Sequence, residues 1–249
     1  MGSVIQVKIE KVVEWLRDQV KNSKTDGLVV GISGGIDSAV VACLIKRAFP
    51  NNSLGVILPI KSNSKDIEDA TALINACGIE SIQIELNDEH TRIFDKAMGE
   101  LKSKGLFKEK NTKLTDANLR ARLRMSSLYT VANNLNYMVV GTDNAAEVLT
   151  GYFTKYGDGG VDLLPISSLK KYEVYEWAKE LGVPQQIIDR PPSAGLWEGQ
   201  TDETEMGTTY KYIDDYLSGK EVPEKDKEII ERMNRNSEHK RQMPPSPNI

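Results

Sequence analysis

Cysteine and histidine are scarce in this chain: Cys43, Cys77, His90 and His239 are the full complement of the two residue types. The cysteines form no CxxC, which excludes a disulfide framework and a thiol relay and leaves them as core residues. So few soft or imidazole ligands exclude a zinc site as well. No apolar run approaches the roughly 20 residues needed to cross a bilayer, and the N-terminus shows no basic stretch followed by an apolar signal core. No membrane partner and a cytoplasmic location are therefore expected. A formal charge of only −4 argues against a general nucleic-acid surface. Two familiar phosphate-binding patterns, GxxxxGK[ST] and GxGxxG, are also missing, which removes kinases and GTPases of the P-loop type.

What is present is an apolar strand that passes through a Ser-Gly-Gly turn into a helix, LVVGISGGIDSAVVACLI, from Leu28 to Ile45. Ser33, Gly34 and Gly35 can turn backbone N–H groups toward phosphate oxygens, and the following helix directs its positive end into the same space. A carboxylate beside phosphates is repulsive unless a cation lies between them, so Asp37 reads as a Mg²⁺ ligand. The competing reading makes Asp37 and Ser38 ordinary helix-start residues.

A chain of 249 residues can bury one substantial core. Apolar positions Ile5, Ile9, Val12, Val13, Leu16 and Val20 predict an amphipathic first helix. Strands are then expected at Leu28 to Ile32, Leu54 to Ile60, Ser81 to Leu86 and Tyr137 to Val140. Helices are expected at Asp37 to Ala48, Lys65 to Cys77, Glu89 to Met98 and Asp116 to Leu135, with Lys102 to Thr115 a mobile loop. This order predicts a doubly wound α/β fold with a mostly parallel sheet and helices on both faces, of the Rossmann-like adenine nucleotide hydrolase type. Ligands in such folds gather beyond the carboxyl ends of the strands, which places Ser33 to Ser38, Pro59 to Ser62 and Gly141 to Glu147 around one crevice. Further helices are expected near Lys170 to Leu181, Glu203 to Ser218 and Pro223 to Arg235. The segment Arg190 to Asp202, RPPSAGLWEGQTD, reads as a closing lid or a plain surface loop. One domain spanning 1–249 is expected, with a flexible tail over 243–249.

If a helix begins at Thr142, Asp143 and Glu147 share a face directed into the crevice, and Glu147 completes a Mg²⁺ site with Asp37. Arg120 and Arg124 project from one helical face and Arg122 from roughly the opposite one. Either Arg122 reaches a substrate while the other two pair with surface acids, or the reverse. Gly151 to Ser167 sets aromatics, Lys155, Asp158 and Asp162 among glycines, a composition able to stack a ring and bind ribose or phosphate, or to place Tyr152 and Phe153 in the core.

SGGIDS at 33–38 resembles the signature of the ATP pyrophosphatases, which adenylate a carboxylate or carbonyl oxygen. NLRAR at 118–122, GTDNAAE at 141–147, GYFTKYGDGGVDLLPI at 151–166, TDETEMG at 201–207, IDDYL at 213–217 and EHKRQ at 238–242 narrow the resemblance to the ammonia-dependent NAD⁺ synthetase family. The resemblance implies conversion of deamido-NAD⁺, ATP and ammonia into NAD⁺, AMP and pyrophosphate by a homodimer, through a nicotinyl-adenylate. It further implies that Gly31, Ile32, Ser33, Gly34, Gly35, Ile36, Asp37 and Ser38 bind ATP, together with Thr142, Lys171 and Ser193. Mg²⁺ would be held by Asp37 and Glu147. Arg122, Lys155, Asp162, His239 and Lys240 would contact deamido-NAD⁺. Lys171 would neutralise the departing pyrophosphate, and a positioned acid, Asp158 or Asp162, would accept a proton from ammonium or from the tetrahedral intermediate.

Overall fold

The computed structural model describes residues 3–193 and 201–247. Its sheet has four parallel strands, β1 (Gly27–Gly31), β2 (Ser53–Ile57), β3 (Glu80–Gln83) and β4 (Tyr137–Val140), in the order β3-β2-β1-β4. The chain winds outward from β1 through α2 (Ile36–Ala48), β2 and α3 (Ser64–Cys77) to the edge strand β3. It then returns through α4 (Asn87–Ser103) and α5 (Thr112–Leu135) to pair β4 on the other side of β1. The reversal leaves a crevice at the carboxyl ends of β1 and β4, where ligands collect in open parallel sheets.

Strand periodicity divides the core between the two faces. Leu28 and Val30 join α1 (Val4–Ser23), α2 and α7 (Lys171–Glu180) on one side, where Ile9, Val13, Leu16 and Trp177 are buried. Val29, Val56 and Val139 face the opposite way and pack against α5. The expected doubly wound parallel architecture is therefore what the chain forms. A third, smaller cluster unites α6 (Ala145–Thr150), α9 (Asp202–Met206), α10 (Tyr210–Leu217) and α11 (Glu224–Ser237) through Ala146, Met206, Tyr210, Ile213 and Ile230. Among the described residues no helix is long and apolar enough to cross a membrane.

Three expectations need correction. The loop over Lys102 to Thr115 is shorter: α4 runs to Ser103, a 3₁₀ turn covers Glu109–Asn111, and α5 starts at Thr112. The first turn of α5 is polar apart from Leu114, itself 64% exposed, so it carries no apolar period to read. The helix expected from Glu203 to Ser218 is two helices, because Gly207 takes φ +77° and Thr209 caps α10 by accepting from Tyr212 N at 3.2 Å. A short helix, α8 (Gln185–Ile188), was not expected.

Gly27 admits no side chain, since a Cβ there would lie 2.2 Å from the Asn52 carbonyl oxygen and 2.7 Å from the Tyr137 ring. Gly99, on the exposed side of α4, has open space. Gly27→Ala should lower the free energy of unfolding by about 1–3 kcal/mol through overpacking. Gly99→Ala should raise it by about 0.5–1 kcal/mol through helix propensity. Urea denaturation midpoints check both signs, and a Gly27→Ala midpoint equal to the parent's would contradict the clearance argument.

Candidate active site

Beyond β1 the chain turns at Ser33, Gly34 and Gly35 before entering α2. Gly34 takes φ +83°, a conformation that favours glycine. The turn is closed by its own hydroxyls: Ser38 Oγ donates to Gly35 O at 2.9 Å and accepts from Ser33 N at 3.3 Å, while Gly35 N donates to Ser33 Oγ at 3.2 Å. Ser38 is buried and serves as the internal brace of the turn. Asp37, in the first turn of α2, faces the end of β4.

There the sequence GTDNAAE forms a cap. Asn144 Oδ1 accepts from the N–H groups of Ala146 and Glu147, and Glu147 Oε2 accepts from Asn144 N at 3.0 Å, a reciprocal capping box that opens α6. The helix therefore begins at Ala145 and not at Thr142, and Asp143 precedes it. The four-residue spacing of Asp143 and Glu147 does not put them on one helical face. Glu147 nevertheless reaches the crevice, because the capping box turns it back toward Asp37. Asn144 Nδ2 completes the link by donating to Asp37 Oδ1 at 2.9 Å.

Lys171 lies between the two acids. Its Nζ donates to Asp37 Oδ2 at 2.6 Å and stands 3.9 Å from Glu147 Oε1 and 4.6 Å from the centroid of the Tyr210 ring. Only 3% of this residue is exposed. Burial pulls the ammonium pKa down, but the carboxylates of Asp37 and Glu147 outweigh it and hold the group above the ordinary lysine range. Burial, followed by the Asp37 charge, pushes Glu147 up to about 8 even though Lys171 opposes the rise. The Lys171 main chain is fixed from α10, where Asp214 accepts from the N–H groups of Lys171 and Tyr172, each at 3.0 Å. Tyr210 OH joins Glu147 Oε1 at 3.2 Å and Asp202 Oδ2 at 2.9 Å. Asp202 N in turn donates to Pro192 O at 3.2 Å, tying α9 to the residue before Ser193.

A second group gathers around residues 151–162. Lys240 Nζ donates to Gly151 O at 2.7 Å and Phe153 O at 2.6 Å, Lys155 Nζ donates to His239 O, and Arg122 reaches Lys155 O at 3.3 Å. The structure thus brings Arg122, Lys155, His239 and Lys240 together from three distant stretches. The three arginines go to different partners. Arg120 pairs with Asp116, as one alternative had it, whereas Arg124 binds the main chain at the end of β2 through Leu58 O at 3.0 Å. Arg122 alone faces the 151–156 segment.

Asp162 is committed to the sheet, accepting from Tyr129 OH at 2.9 Å and Val139 N at 2.8 Å. Asp158 accepts from Thr154 N at 3.1 Å and is solvent-exposed. The protein packed around its carboxyl raises it above the usual range. Asp143 is buried and is raised further, first by burial and then by Asp158, Glu147 and Asp37. Thr142 follows the last strand at the crevice and is half-buried. Of the expected lid, 194–200 lies outside the described residues. Asp214, Tyr210 and Asn144 are site residues that motif reading missed. The Asn-x-x-Glu spacing is a readable capping signal for Asn144, whereas Asp214, although it lies within IDDYL, and Tyr210 act across 42–63 positions, so their partners are not readable locally.

The model of the family described as NAD synthase matches residues 8–244. An NH₃-dependent NAD⁺ synthetase of Alkaliphilus oremlandii is 68% identical over 249 residues, covering 100% of both chains. Among solved structures, NMN synthetase from Francisella tularensis superposes with a TM-score of 0.91 at 42% identity and full coverage of both chains. NH₃-dependent NAD synthetase from Campylobacter jejuni superposes with a TM-score of 0.78 at 31% identity, covering 99% of this chain and 100% of that one.

Glu147 has a pH signature. Glu147 rises from an ordinary 4.5 to about 8, so between those values the folded state retains a proton that the unfolded chain has released. Its contribution to stability is complete below the lower value and is lost as pH climbs through the upper one. Without divalent cations, the melting temperature should fall between about pH 5 and about pH 8, and fall less in Glu147→Gln. Identical slopes in the two proteins would rule out Glu147 as the source.

Proposed function

The chain belongs to the NAD synthase family, and from that premise we propose that its crevice converts deamido-NAD⁺, ATP and ammonia into NAD⁺, AMP and pyrophosphate through a nicotinyl-adenylate. It is a ligase that forms a carbon–nitrogen bond with ATP as co-substrate. The observation that carries this reading is Lys171, a buried ammonium at the mouth of a glycine turn, held between two acids that face the same space.

An ionised nicotinate carboxylate is a poor electrophile without a usable leaving group. Its oxygen attacks the α-phosphorus of ATP, and the new P–O bond forms as the bond to pyrophosphate breaks. The backbone from Gly31 to Ser38 and the N-terminus of α2 hold the phosphates, with Thr142 and Ser193 adding hydroxyl contacts. Lys171 offsets the charge that develops on pyrophosphate. Arg122, Lys155, Asp162, His239 and Lys240 hold the nicotinate substrate. Ammonia then adds to the activated carbonyl and expels AMP. Asp158 takes the ammonium proton in preference to Asp162, because the Asp162 carboxylate already accepts from Tyr129 and Val139.

Asp37 and Glu147 suit Mg²⁺. They are hard oxygen donors, and burial together with the Asp37 charge raises Glu147 to about 8; a divalent cation would relieve the part that is repulsion. When bound, Mg²⁺ supplies positive charge to the phosphates.

The likeness to an NMN synthetase supports a second reading for the substrate, the mononucleotide acid, since the carboxylate chemistry is the same. Liquid chromatography of reactions with each acid, ATP, ammonia and Mg²⁺ should show AMP and pyrophosphate appearing with NAD⁺, and kcat/KM for the dinucleotide should exceed that for the mononucleotide. ADP and orthophosphate would sink the adenylation, and the reverse preference would establish the second reading.

The active form is a homodimer that pairs the α4 and α5 faces. Ile82 on the edge strand β3, Ile93 on α4, Leu106 in the connection after α4 and Leu114 on α5 leave 40–65% of their surfaces exposed. Exposed apolar side chains of this kind favour association. Sedimentation at assay concentration should give twice the chain mass, and Leu114→Glu combined with Leu106→Glu should give the monomer. A fully active monomeric parent would refute the dimer.

A further inference from the structure

The phosphate turn does not rest on β1 and α2 alone. A Cβ at Gly34 would lie 2.5 Å from the Asp66 carbonyl oxygen, so the turn sits directly on the first turn of α3. Asp66 and Asp69 from that part of α3 share one cation: Arg190 Nη2 bonds Asp66 Oδ1, and Nη1 reaches Asp69 Oδ2 at 3.2 Å. Asp69 is fully buried, at 0% exposure, and takes further bonds from Gln186 Nε2 at 2.7 Å and Lys65 Nζ at 3.0 Å. A carboxylate out of water depends on its donors, so this cluster fixes where Arg190 stands. Arg190 follows α8 and precedes Ser193 by three residues. Its bonds go to α3, and it donates to neither Asp37 nor Glu147.

We propose that Arg190 is a positioning residue for ATP: its guanidinium holds the segment carrying Ser193 against α3 and, through the Asp66 main chain, sets the height of the Gly34 turn. Two sides of the phosphate site are thereby tied to one side chain. The planar fork matters as well as the charge, because two carboxylates a turn apart are each met by a separate nitrogen. The inference rests on the reading that ATP phosphates bind at this turn.

The test uses ATP itself, in two measurements. Isothermal titration of ATP·Mg²⁺ into Arg190→Gln should show affinity weakened by about tenfold or more, and Arg190→Lys should recover part of the loss because it keeps the charge without the fork. In steady-state pyrophosphate release, the KM for ATP should rise by a similar factor while kcat and the KM for the nicotinate substrate stay within about twofold of the parent. A merely structural bridge would lower the melting temperature and the active fraction yet leave the parent's KM for ATP, and that result overturns the inference. Should Arg190→Gln fail to fold, Arg190→Lys decides: an unchanged KM for ATP, or an equal rise in KM for both substrates, overturns it too. A parent that binds ATP but releases no pyrophosphate counts against the proposed reaction, and the titration still judges Arg190. A parent that does not bind ATP overturns both.

Discussion

One buried ammonium group sets the arrangement of this molecule. Lys171 is almost completely removed from water, and the cost of burying its charge is offset by carboxylates contributed by two other helices. Neither acid is a sequence neighbour: Asp37 opens α2 and Glu147 belongs to α6. Shifting any of the three elements would leave an uncompensated charge in a low-dielectric interior, a penalty of about 3–5 kcal/mol. The same three groups face the glycine turn. The interaction that holds the helices together therefore also presents a cation and two acids to whatever occupies the crevice.

The helices of the third cluster owe their placement to this demand. Asp214 grips the first turn of α7 by two amides, and Tyr210 bridges Glu147 and Asp202. Both come from α10, an amphipathic helix whose apolar side, Ile213 included, seals the cluster with Met206 and Ile230. Charged and apolar parts are thus mutually dependent: the cluster excludes water from Lys171, and the hydrogen bonds from α10 keep the cluster in register with the sheet. This division also clarifies the two halves of the crevice. The half around the glycine turn is built on strand ends, whereas the half around 151–156 is held to the C-terminal region by side chain to carbonyl bonds in both directions, Lys240 to Gly151 O and Phe153 O and Lys155 to His239 O.

The strands were legible because buried parallel strands are short, β-branched and bounded by turns, and Leu28 to Ile32 or Tyr137 to Val140 has no competing helical period. The glycine turn was legible because its chemistry is local. Where the reading erred, the cause was a signal of another kind. The start of α6 is dictated by Asn144 capping, which outweighs a spacing argument counted from Thr142. The start of α5 is polar, so hydrophobic periodicity is silent there. Helical geometry correctly separated Arg122 from Arg120 and Arg124, but it could not foresee that Arg124 would be spent on the Leu58 carbonyl. The sequence offered Asp158 and Asp162 alike as positioned acids, whereas in the structure Asp162 alone of the two accepts from Tyr129 and Val139.

The C-terminal stitching has a consequence for the order in which the enzyme is made. Arg241 donates to Val148 O, Lys240 to Gly151 O and Phe153 O, and Ser237 to Thr150 O, while a Cβ at Gly151 would collide with Ser237 at 2.1 Å. A nascent chain emerging from the ribosome can lay down the sheet and the glycine turn early, and can bring Lys171 to its acids once α10 is out. The carbonyls of 148–153 stay open to water until residues 237–241 arrive to claim them. Residues 237–241 must therefore be translated before the second half of the crevice exists, and a chain stalled or released ahead of them would carry a finished glycine turn with no wall opposite it.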